Sequence, residues 1–402
     1  MRYSAQEVRQ YVEQADVKFI RLAFCDVYGR QKNIAIMPGE LERAFDTGIA
    51  FDASAVAGFG GAVRSDLFLH PDPDTLARLP WRPETGRVVR MFCDVTQPDG
   101  TPAACNTRGI LRNAVESASK RGISFAFGPE MEFYLFKNGP DGERTDSPCD
   151  NAGYMDIAPD DKGENVRREV CLMLEEMGVR PECSHHEEGP GQNEIDFRYS
   201  DPLSAADNAL TFRTVVKTVA AGYGLTADFS PKPLPERPGS GMHINFSAKA
   251  RSGADCMPQV IAGILDKVAE MTLFLNPVES SYLRLGGSKA PGYITWSTEN
   301  RSQLIRIPAA TGEFRRAELR SPDPMTNPYI AFALMIYAGV YGIDKLLPLP
   351  DSTDLNLYTA PEDLLASLKH LPHSLYEAKK AARVSDFIKT CLPEELIAFY
   401  CG

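Results

Sequence analysis

From about residue 106 to its carboxyl end, the chain alternates between segments with strand-like patterns and segments with helical periodicity. Helices are predicted around ENVRREVCLMLEEMG, from Ala205 to Ala221, and from Tyr329 to Gly342, where the segment is apolar on all sides and suits a buried helix. Short strands and clusters of proline and glycine lie between them. This alternation predicts one large domain of sheet and helices, residues 105–402.

Residues 1–104 have a different pattern and predict a smaller α+β unit. A helix is expected from Ala5 to Glu13, followed by the apolar run VKFIRLAFCDVYG, which predicts a strand ending in a turn at Gly29. Further strand-like pieces and the proline-rich stretch LHPDPDTLARLPWRP follow. The fold class predicted for the whole chain is therefore α+β, with two domains.

Charge and cysteine usage exclude several classes of protein. The 402 residues include 43 Lys and Arg against 54 Asp and Glu, a formal charge of −11, with no basic run along the chain, so nucleic acid is not an expected partner. The nine cysteines are scattered and never spaced as C-x-x-C, which favours reduced thiols and a cytoplasmic location. No export signal is visible, and the longest apolar stretch is shorter than the ~20 residues of a membrane span.

The first chemical signal is a pair of carboxylates in the segment ISFAFGPEMEFYLF. Strand side chains repeat every two residues, so Glu130 and Glu132 should lie on one face of the strand. Exposed strands often carry such pairs, and a solvated face is the simpler reading. Here, however, the flanking residues are apolar, and buried carboxylates are costly without a neutralising partner. A hard divalent cation is the usual partner, so the pair indicates a metal site.

Three further segments carry candidate ligands. HHEEGPGQNE offers more oxygen ligands on a glycine-rich turn, although adjacent histidines on an extended segment point to opposite sides and cannot readily chelate one ion together. GSGMHIN enters a strand that should project His243 and Asn245 to one face. Five arginines surround Glu318 between Arg301 and Arg320, a density that suits binding of carboxylate and phosphate oxygens, the alternative being a salt-bridged surface.

Taken together, these segments resemble the glutamine synthetase family, class I type. The resemblance rests on the ordered segments GPEMEFYLF, SHHEEGPGQNEIDF, PKPLPERPGSGMHINFS, SSYLRL, APGYITWSTENRSQLIRIP and RRAELRSPDPMTNPYIAF, with VKFIRLAFCDVYG and FDASAVAGFG near the amino end. It implies a β-grasp-like domain at residues 1–104 and a catalytic domain at 105–402 with a curved antiparallel sheet and flanking helices. It also implies ATP as co-substrate and two divalent ions, Mg²⁺ or Mn²⁺.

The resemblance assigns roles to individual positions. The ligands of one ion would be Glu132, Glu187 and Glu194, and those of the other Glu130, His243 and Glu318. The nucleotide phosphates and the transferring phosphoryl group would be bound by Arg301, Arg306 and Arg316, with Ser247 and Lys232 on the nucleotide side. The acid substrate would be bound by Arg284, Arg320, Gly239 and Glu187. Arg301 and Asp52 would be catalytic, and Asp52 would bind and deprotonate ammonium from a neighbouring subunit of a hexamer or dodecamer.

Three positions depart from the family pattern. The flap that reads RLVPGFEAP in the family is here RLGGSKAP, which places Lys289 where the family has an ammonium-binding glutamate. Pro238 replaces an asparagine that contacts glutamate, and FDASA replaces FDGSS. The long carboxy-terminal helix that joins two rings is cut short, so the choice between hexamer and dodecamer is open. Tyr358 matches a regulatory tyrosine of some members, but a tyrosine also occurs there without regulation.

Two functions follow from these observations. The first is an ATP-dependent ligase that joins an acid, glutamate or a relative, to ammonia or another amine. The second is a catalytically impaired family member that binds nucleotide and metal within a regulatory or structural assembly. The complete set of predicted metal ligands favours the enzyme, whereas Lys289 and Pro238 favour the alternative.

Overall fold

The computed structural model describes residues 3–61, 63, 65–287, 289–310, 312 and 315–402. Ser288 of the predicted flap and residues 311, 313 and 314 of the arginine-rich segment lie outside this range. The amino-terminal strands are β1 (Val17–Cys25), β2 (Gln31–Ile36), β3 (Ile49–Asp52), β4 (Asp66–Pro71), β5 (Ala77–Arg78) and β6 (Arg87–Thr96). They form a sheet of order β2-β1-β6-β4-β3, with β5 also paired to β6. β1 and β6 run parallel, whereas β1 and β2 form an antiparallel pair.

Two helices accompany this sheet, α1 (Ala5–Gln14) and α2 (Leu41–Asp46). The predicted start of α1 at Ala5 is confirmed. The Ser4 side chain accepts a hydrogen bond from the Glu7 amide while the Glu7 carboxylate accepts one from the Ser4 amide, which satisfies two free donors at the helix end. Val8 and Val12 are buried on the face that packs on the sheet.

The second sheet is larger and mostly antiparallel. Its strands are β7 (Ile123–Asn138), β8 (Arg144–Pro148), β9 (Pro181–His186), β10 (Gln192–Phe197), β11 (Leu225–Asp228), β12 (Met242–Ala250), β13 (Trp296–Thr298), β14 (Ile305–Ile307) and β15 (Ala317–Leu319). The strand order is β13-β14-β15-β12-β7-β10-β9, and β8 and β11 also pair with β7. The long strand β7 is therefore the centre on which the neighbouring strands are placed.

Helices flank this sheet. They are α3 (Thr107–Lys120), α4 (Glu164–Glu176), α5 (Pro202–Gly222), α6 (Met257–Leu275), α7 (Glu279–Arg284), α8 (Pro328–Asp344), α9 (Glu362–Leu365), α10 (Leu375–Val384), α11 (Asp386–Cys391) and α12 (Glu394–Cys401). The buried helix predicted from Tyr329 to Gly342 is α8, which packs closely on α6. A Cβ at Gly263 would lie 2.1 Å from the Ala338 carbonyl oxygen, so this approach requires glycine. Across the described residues, no helix combines the length and apolarity needed to cross a membrane.

Buried polar contacts join the two sheets. The Arg108 guanidinium at the start of α3 donates to both carboxylate oxygens of Asp207 in α5, at 3.1 and 3.0 Å, and to Asp72 beyond β4 at 2.8 Å. The Asn327 amide and the Tyr400 hydroxyl both donate to the Val27 carbonyl oxygen, at 2.9 and 2.7 Å. The amino-terminal sheet is thus fixed against the helices that support the larger sheet.

Candidate functional site

Two acidic side chains occupy the middle of β7, as the alternation of the sequence predicts. Glu130 is the register partner of His243 on β12, and Glu132 is the register partner of Glu194 on β10. Glu318 on β15 pairs in register with Asn245, two residues beyond His243. The sheet therefore gathers acidic groups from three strands and a histidine from a fourth, and these side chains belong to two clusters.

The first cluster contains Glu130, His243 and Glu318, whose ligand atoms all lie within 4.8 Å of one another. Burial raises the pKa of Glu130 from 4.5 to about 8, with Asp196 and Glu318 adding to the effect. Burial and the nearby Arg320 lower the pKa of His243 well below 6.5, so its imidazole is neutral. A neutral imidazole beside two carboxylates is a donor set that a divalent cation binds.

The second cluster contains His185, Glu187 and Glu194, again within 4.8 Å of one another. Glu132, which was predicted to share an ion with Glu187 and Glu194, lies across the strand pair from Glu194 and accepts hydrogen bonds from the Gln192 amide and the Gly241 backbone. Burial and the neighbouring Glu187 raise the pKa of Glu132 to about 7. These crowded, desolvated carboxylates fit a second cation.

The adjacent histidines point in opposite directions, as expected for an extended segment. His185 faces the second cluster, with its Nδ1 3.6 Å from a Glu187 oxygen. His186 is fully buried, with Nε2 3.0 Å from Asp150 Oδ1 and Nδ1 2.6 Å from the Glu187 carbonyl oxygen. Both partners only accept hydrogen bonds, so both ring nitrogens of His186 carry protons, in agreement with its raised pKa.

Asp150 anchors the loop that carries Glu187. Besides His186, its Oδ1 accepts a hydrogen bond from the Gly191 amide at 2.8 Å, and its Oδ2 accepts one from the Lys162 amide at 2.9 Å. These donors hold the pKa of Asp150 below its usual range. The charged pair of Asp150 and His186 thereby fixes the backbone on both sides of Glu187.

Two of the predicted arginines bind Glu318. Arg306 donates to one carboxylate oxygen at 2.7 Å and Arg320 to the other at 2.6 Å. In the described part of the chain, the Nε atoms of both arginines are buried without a hydrogen-bond partner. These unused donors suit an anionic ligand above the first cluster.

Arg284 lies beside this group. Its guanidinium donates to the carbonyl oxygens of Ser321 and Arg320 at 2.7 and 3.3 Å. A Cβ at Gly239 would lie 2.5 Å from the Pro231 carbonyl oxygen and 2.9 Å from the Arg284 side chain, so only glycine fits. Pro238 presents its carbonyl oxygen to the Tyr134 hydroxyl at 2.7 Å. The glycine-rich turn and Arg284 therefore form one wall of the site.

A pocket of about 180 Å³ opens next to the first cluster. Its lining includes Glu130, Asn245, Ser247 and Arg316, and Arg316 donates to the Asn245 side chain at 2.8 Å. Lys232, predicted on the nucleotide side, donates instead to the Arg237 carbonyl oxygen at 2.6 Å within its own loop. Ser247 and Arg316 are thus brought to the same pocket, and Lys232 makes a local contact.

Arg301 lies at a different opening, a hollow of about 560 Å³ shared with Asp354 and Tyr358. The Tyr358 hydroxyl donates to the Arg301 carbonyl oxygen at 3.3 Å. Asp52 ends β3 in the amino-terminal sheet, where its carboxylate accepts a hydrogen bond from the Ser54 amide at 2.9 Å, which lowers its pKa. The catalytic roles predicted for Arg301 and Asp52 stay predictions.

Lys289 occupies the flap in a left-handed conformation with φ of 64°. Its ammonium forms an ion pair with Glu188, next to Glu187, and lies 5.7 Å from the centre of the Tyr154 ring. The partner of Lys289 is therefore a carboxylate of the chain itself.

The stability of the metal-free protein should depend on these carboxylates. The folded state raises the pKa of Glu130 from 4.5 to about 8 and that of Glu132 to about 7. A raised pKa contributes stability that is complete below the unfolded value and lost as pH rises through the folded value. In the presence of a chelator, the midpoint temperature of thermal unfolding should therefore fall as pH rises from about 5 to about 8. Saturating Mg²⁺ should reduce this fall in the unfolding midpoint, because the ion binds the ionised carboxylates. If the midpoint fell with pH equally with and without Mg²⁺, the assignment of Glu130 and Glu132 as metal ligands would be contradicted.

Sequence reasoning missed four residues of this region: His185 as a member of the second cluster, and Asp150, Tyr154 and Gln192 as its supports. The Tyr154 ring meets the His185 ring edge-on, with centroids 5.4 Å apart. The segment CDNAGY that contains Asp150 and Tyr154 has no period and no charge cluster to mark it. His185 carried a signal, since alternation places it on the same strand face as Glu187.

Comparison with known proteins agrees with this geometry. Residues 104–402 match the family described as the glutamine synthetase catalytic domain, and residues 16–98 match the glutamine synthetase beta-grasp domain. A glutamine synthetase from Clostridium saccharobutylicum is 42% identical over 414 residues, covering 99% of this chain and 94% of the relative. One from Methanosarcina mazei is 43% identical over 411 residues, covering 98% and 92%.

A solved structure described as a complex of GmaS with ADP has the same fold, with a TM-score of 0.88. It is 26% identical in sequence and covers 98% of this chain and 93% of its own. With full-length relatives above 40% identity and both domains matched, the chain belongs to the glutamine synthetase family of ATP-dependent carboxylate-amine ligases, which use divalent metal ions.

Proposed function

We propose that this chain joins the side-chain carboxylate of glutamate, or of a similar acid, to an amine at the expense of ATP. The observation that carries the proposal is the pair of buried acidic clusters on β7 and its neighbours, with arginines around the first. The metal ligands give no support to the alternative of a catalytically impaired assembly, because all six predicted ligands lie around this one part of the sheet.

The reaction divides into two steps. The acid carboxylate takes the γ-phosphoryl group of ATP, which gives an acyl phosphate and ADP. The nitrogen of an unprotonated amine then attacks the acyl carbon, the carbon-oxygen bond to phosphate breaks, and the amine proton passes to a base. Two divalent ions, Mg²⁺ or Mn²⁺, would neutralise charge on the phosphoryl oxygens when bound by the six predicted ligands, Glu130, His243 and Glu318 for one ion and Glu132, Glu187 and Glu194 for the other.

The remaining residues are proposed to bind and orient the reactants. Arg306 and Arg320 have buried Nε donors free to bind anionic oxygens, and Arg316 lines the pocket proposed for the nucleotide. Arg284 at the glycine-rich turn is proposed to bind the acid substrate. Asp52 is proposed as the base, supplied to the site by a neighbouring subunit. Like other exposed aspartates, it is ionised at neutral pH, and the hydrogen bond from Ser54 lowers its pKa further.

Trapping the acyl phosphate with hydroxylamine tests this proposal independently of the natural amine. Hydroxylamine is a small nucleophile that is largely uncharged at neutral pH, so it does not need an ammonium site. With glutamate, ATP and Mg²⁺, the protein should form a hydroxamate together with equimolar ADP. Omission of the acid should stop ADP release, and a panel of other acids would identify the substrate. ATP hydrolysis without hydroxamate from any acid would refute the ligase.

We expect the protein to assemble as a ring with active sites shared between subunits. Asp52 lies in the amino-terminal sheet, and its carboxylate is bonded to Ser54 within its own turn. In the arrangement that the family resemblance implies, Asp52 acts at the acyl phosphate of a neighbouring copy. Light scattering should give the mass of a hexamer or dodecamer at micromolar concentration. A monomer with full ligase activity would contradict the shared site.

Two other expectations remain proposals. The match to the beta-grasp domain ends at residue 98, and the match to the catalytic domain begins at residue 104. These limits support a domain boundary between residues 104 and 105. All nine cysteines are unpaired, and this supports a reducing, cytoplasmic location.

A further inference from the structure

A cavity of about 260 Å³ lies between the amino-terminal sheet and helix α5, separate from both acidic clusters. Its walls include Arg21 on β1, Arg90 on β6, Arg82 after β5 and three threonines of α5. None of the described residues that line it is acidic. Three arginines without an acid are unusual in a chain whose net charge is −11.

Arg90 is the central group of this cavity. It is only 6% exposed, and one Nη donates to the Thr211 hydroxyl at 3.2 Å. Its Nε is buried without a hydrogen-bond partner, and within the described ranges it forms no ion pair. Asp207, the acid whose charge acts on it, is already bonded to Arg108 and to the Tyr329 hydroxyl. A buried guanidinium with no counter-ion of its own favours an anion from solution.

The surrounding groups extend this donor set. Arg21 is the register partner of Arg90 on the parallel pair β1 and β6, so both side chains leave the same face of the sheet. Arg21 has one contact to the Asn33 side-chain oxygen at 3.3 Å, which leaves most of its donors unused. The Gln31 side chain lines the cavity, with its oxygen 3.2 Å from the Thr214 hydroxyl. Trp81 adds an aromatic wall.

We propose that this cavity is a binding site for a small oxyanion, a carboxylate or a phosphate, held between Arg90 and Arg21. Guanidinium groups bind both kinds of anion through paired hydrogen bonds, so the two share one chemistry here. The cavity volume of about 260 Å³ suits a compact metabolite and excludes a macromolecule. None of the described residues that line the cavity belongs to either acidic cluster or lies on β7, β12 or β15, so the site is separate from the proposed substrate site.

Thermal unfolding of the full-length protein with added anion tests the proposal. Inorganic phosphate and succinate serve as the two probes, and sodium chloride at the same ionic strength is the control for screening. One or both probes should raise the midpoint of the wild type in a saturable manner. Arg90→Gln should weaken the apparent affinity at least tenfold. Arg21→Gln should weaken the affinity to a similar extent. It replaces Arg90→Gln as the test variant if Arg90→Gln does not fold. The probe with the higher apparent affinity identifies the preferred anion as carboxylate or phosphate.

Two variants locate the effect. Arg251→Gln makes the same charge change at an exposed position remote from the cavity and should bind like the wild type. Arg316→Gln alters the pocket proposed for the nucleotide and should also leave this affinity unchanged. Loss of the response in Arg316→Gln with retention in Arg90→Gln and Arg21→Gln would overturn the proposal. An equal response to sodium chloride, or no saturable response to either probe, would overturn it as well.

Discussion

Glu132→Ala should abolish Mg²⁺-dependent nucleotide binding and ligase turnover. Glu132 is buried opposite Glu194, and its pKa is raised to about 7 by desolvation and by Glu187. Removal of a residue that only supports a metal ligand typically costs 10–100-fold in affinity, so loss of the carboxylate itself should cost more than about 100-fold. Titration of Mn²⁺ into the variant, followed by ADP with Mg²⁺, measures the effect directly.

Controls separate this role from a general loss of structure. Glu116→Ala removes an exposed carboxylate of α3 and should retain both affinities. Glu132→Gln keeps the shape of the side chain but removes its charge, so it should bind Mn²⁺ weakly while raising the unfolding midpoint of the metal-free protein near pH 8. That combination of lower affinity and higher stability is expected only if like charges are held together for a cation. An unchanged affinity of Glu132→Ala for Mg²⁺ and nucleotide would refute the assignment of Glu132 as a metal ligand.

Glutamine synthesis from glutamate and ammonium should be weak, because the flap carries a lysine where the resemblance predicts an ammonium-binding glutamate. Lys289 is paired with Glu188, so the charge of that carboxylate is neutralised and the pair offers no net negative charge to a cation. Two unit charges about 4 Å apart interact by roughly 4 kcal/mol at an effective dielectric near 20. Both partners are partly exposed, and screening reduces this figure, yet 1.4 kcal/mol already changes an affinity tenfold.

Lys289→Glu should therefore lower the KM for ammonium at least tenfold, while the rate of hydroxamate formation from hydroxylamine changes little. Lys120→Glu makes the same charge change at the exposed end of α3 and should leave the ammonium KM unaffected. A change in the KM for ammonium without a change in the rate of hydroxamate formation shows that the variant alters amine binding. A change in both would show that acyl phosphate formation is damaged. A wild-type rate of about 1 to 1000 per second with glutamate and ammonium would show that the flap substitution is harmless.

Much of the candidate site could be read from local patterns. The two-residue repeat of strands placed Glu130 and Glu132 on one face, and the structure has them at alternate positions of β7, with Met131 between them. The same rule predicted that the side chains of His185 and His186 point to opposite sides of the chain. Helical periodicity located α4, α5 and α8 to within a few residues. These features depend on neighbours in the sequence, and local geometry alone is sufficient to predict them.

The sequence by itself determined the fold class, the family and the positions of the acidic and arginine-rich segments. Only the tertiary structure decided which distant groups meet: Lys289 with Glu188 across 101 residues, His186 with Asp150, and Arg21 with Arg90 beneath α5. The physical reason is one of range. Side-chain periodicity is set by the backbone within a few residues, whereas contacts between separate segments depend on strand register, loop paths and the packing of the two sheets through residues such as Arg108.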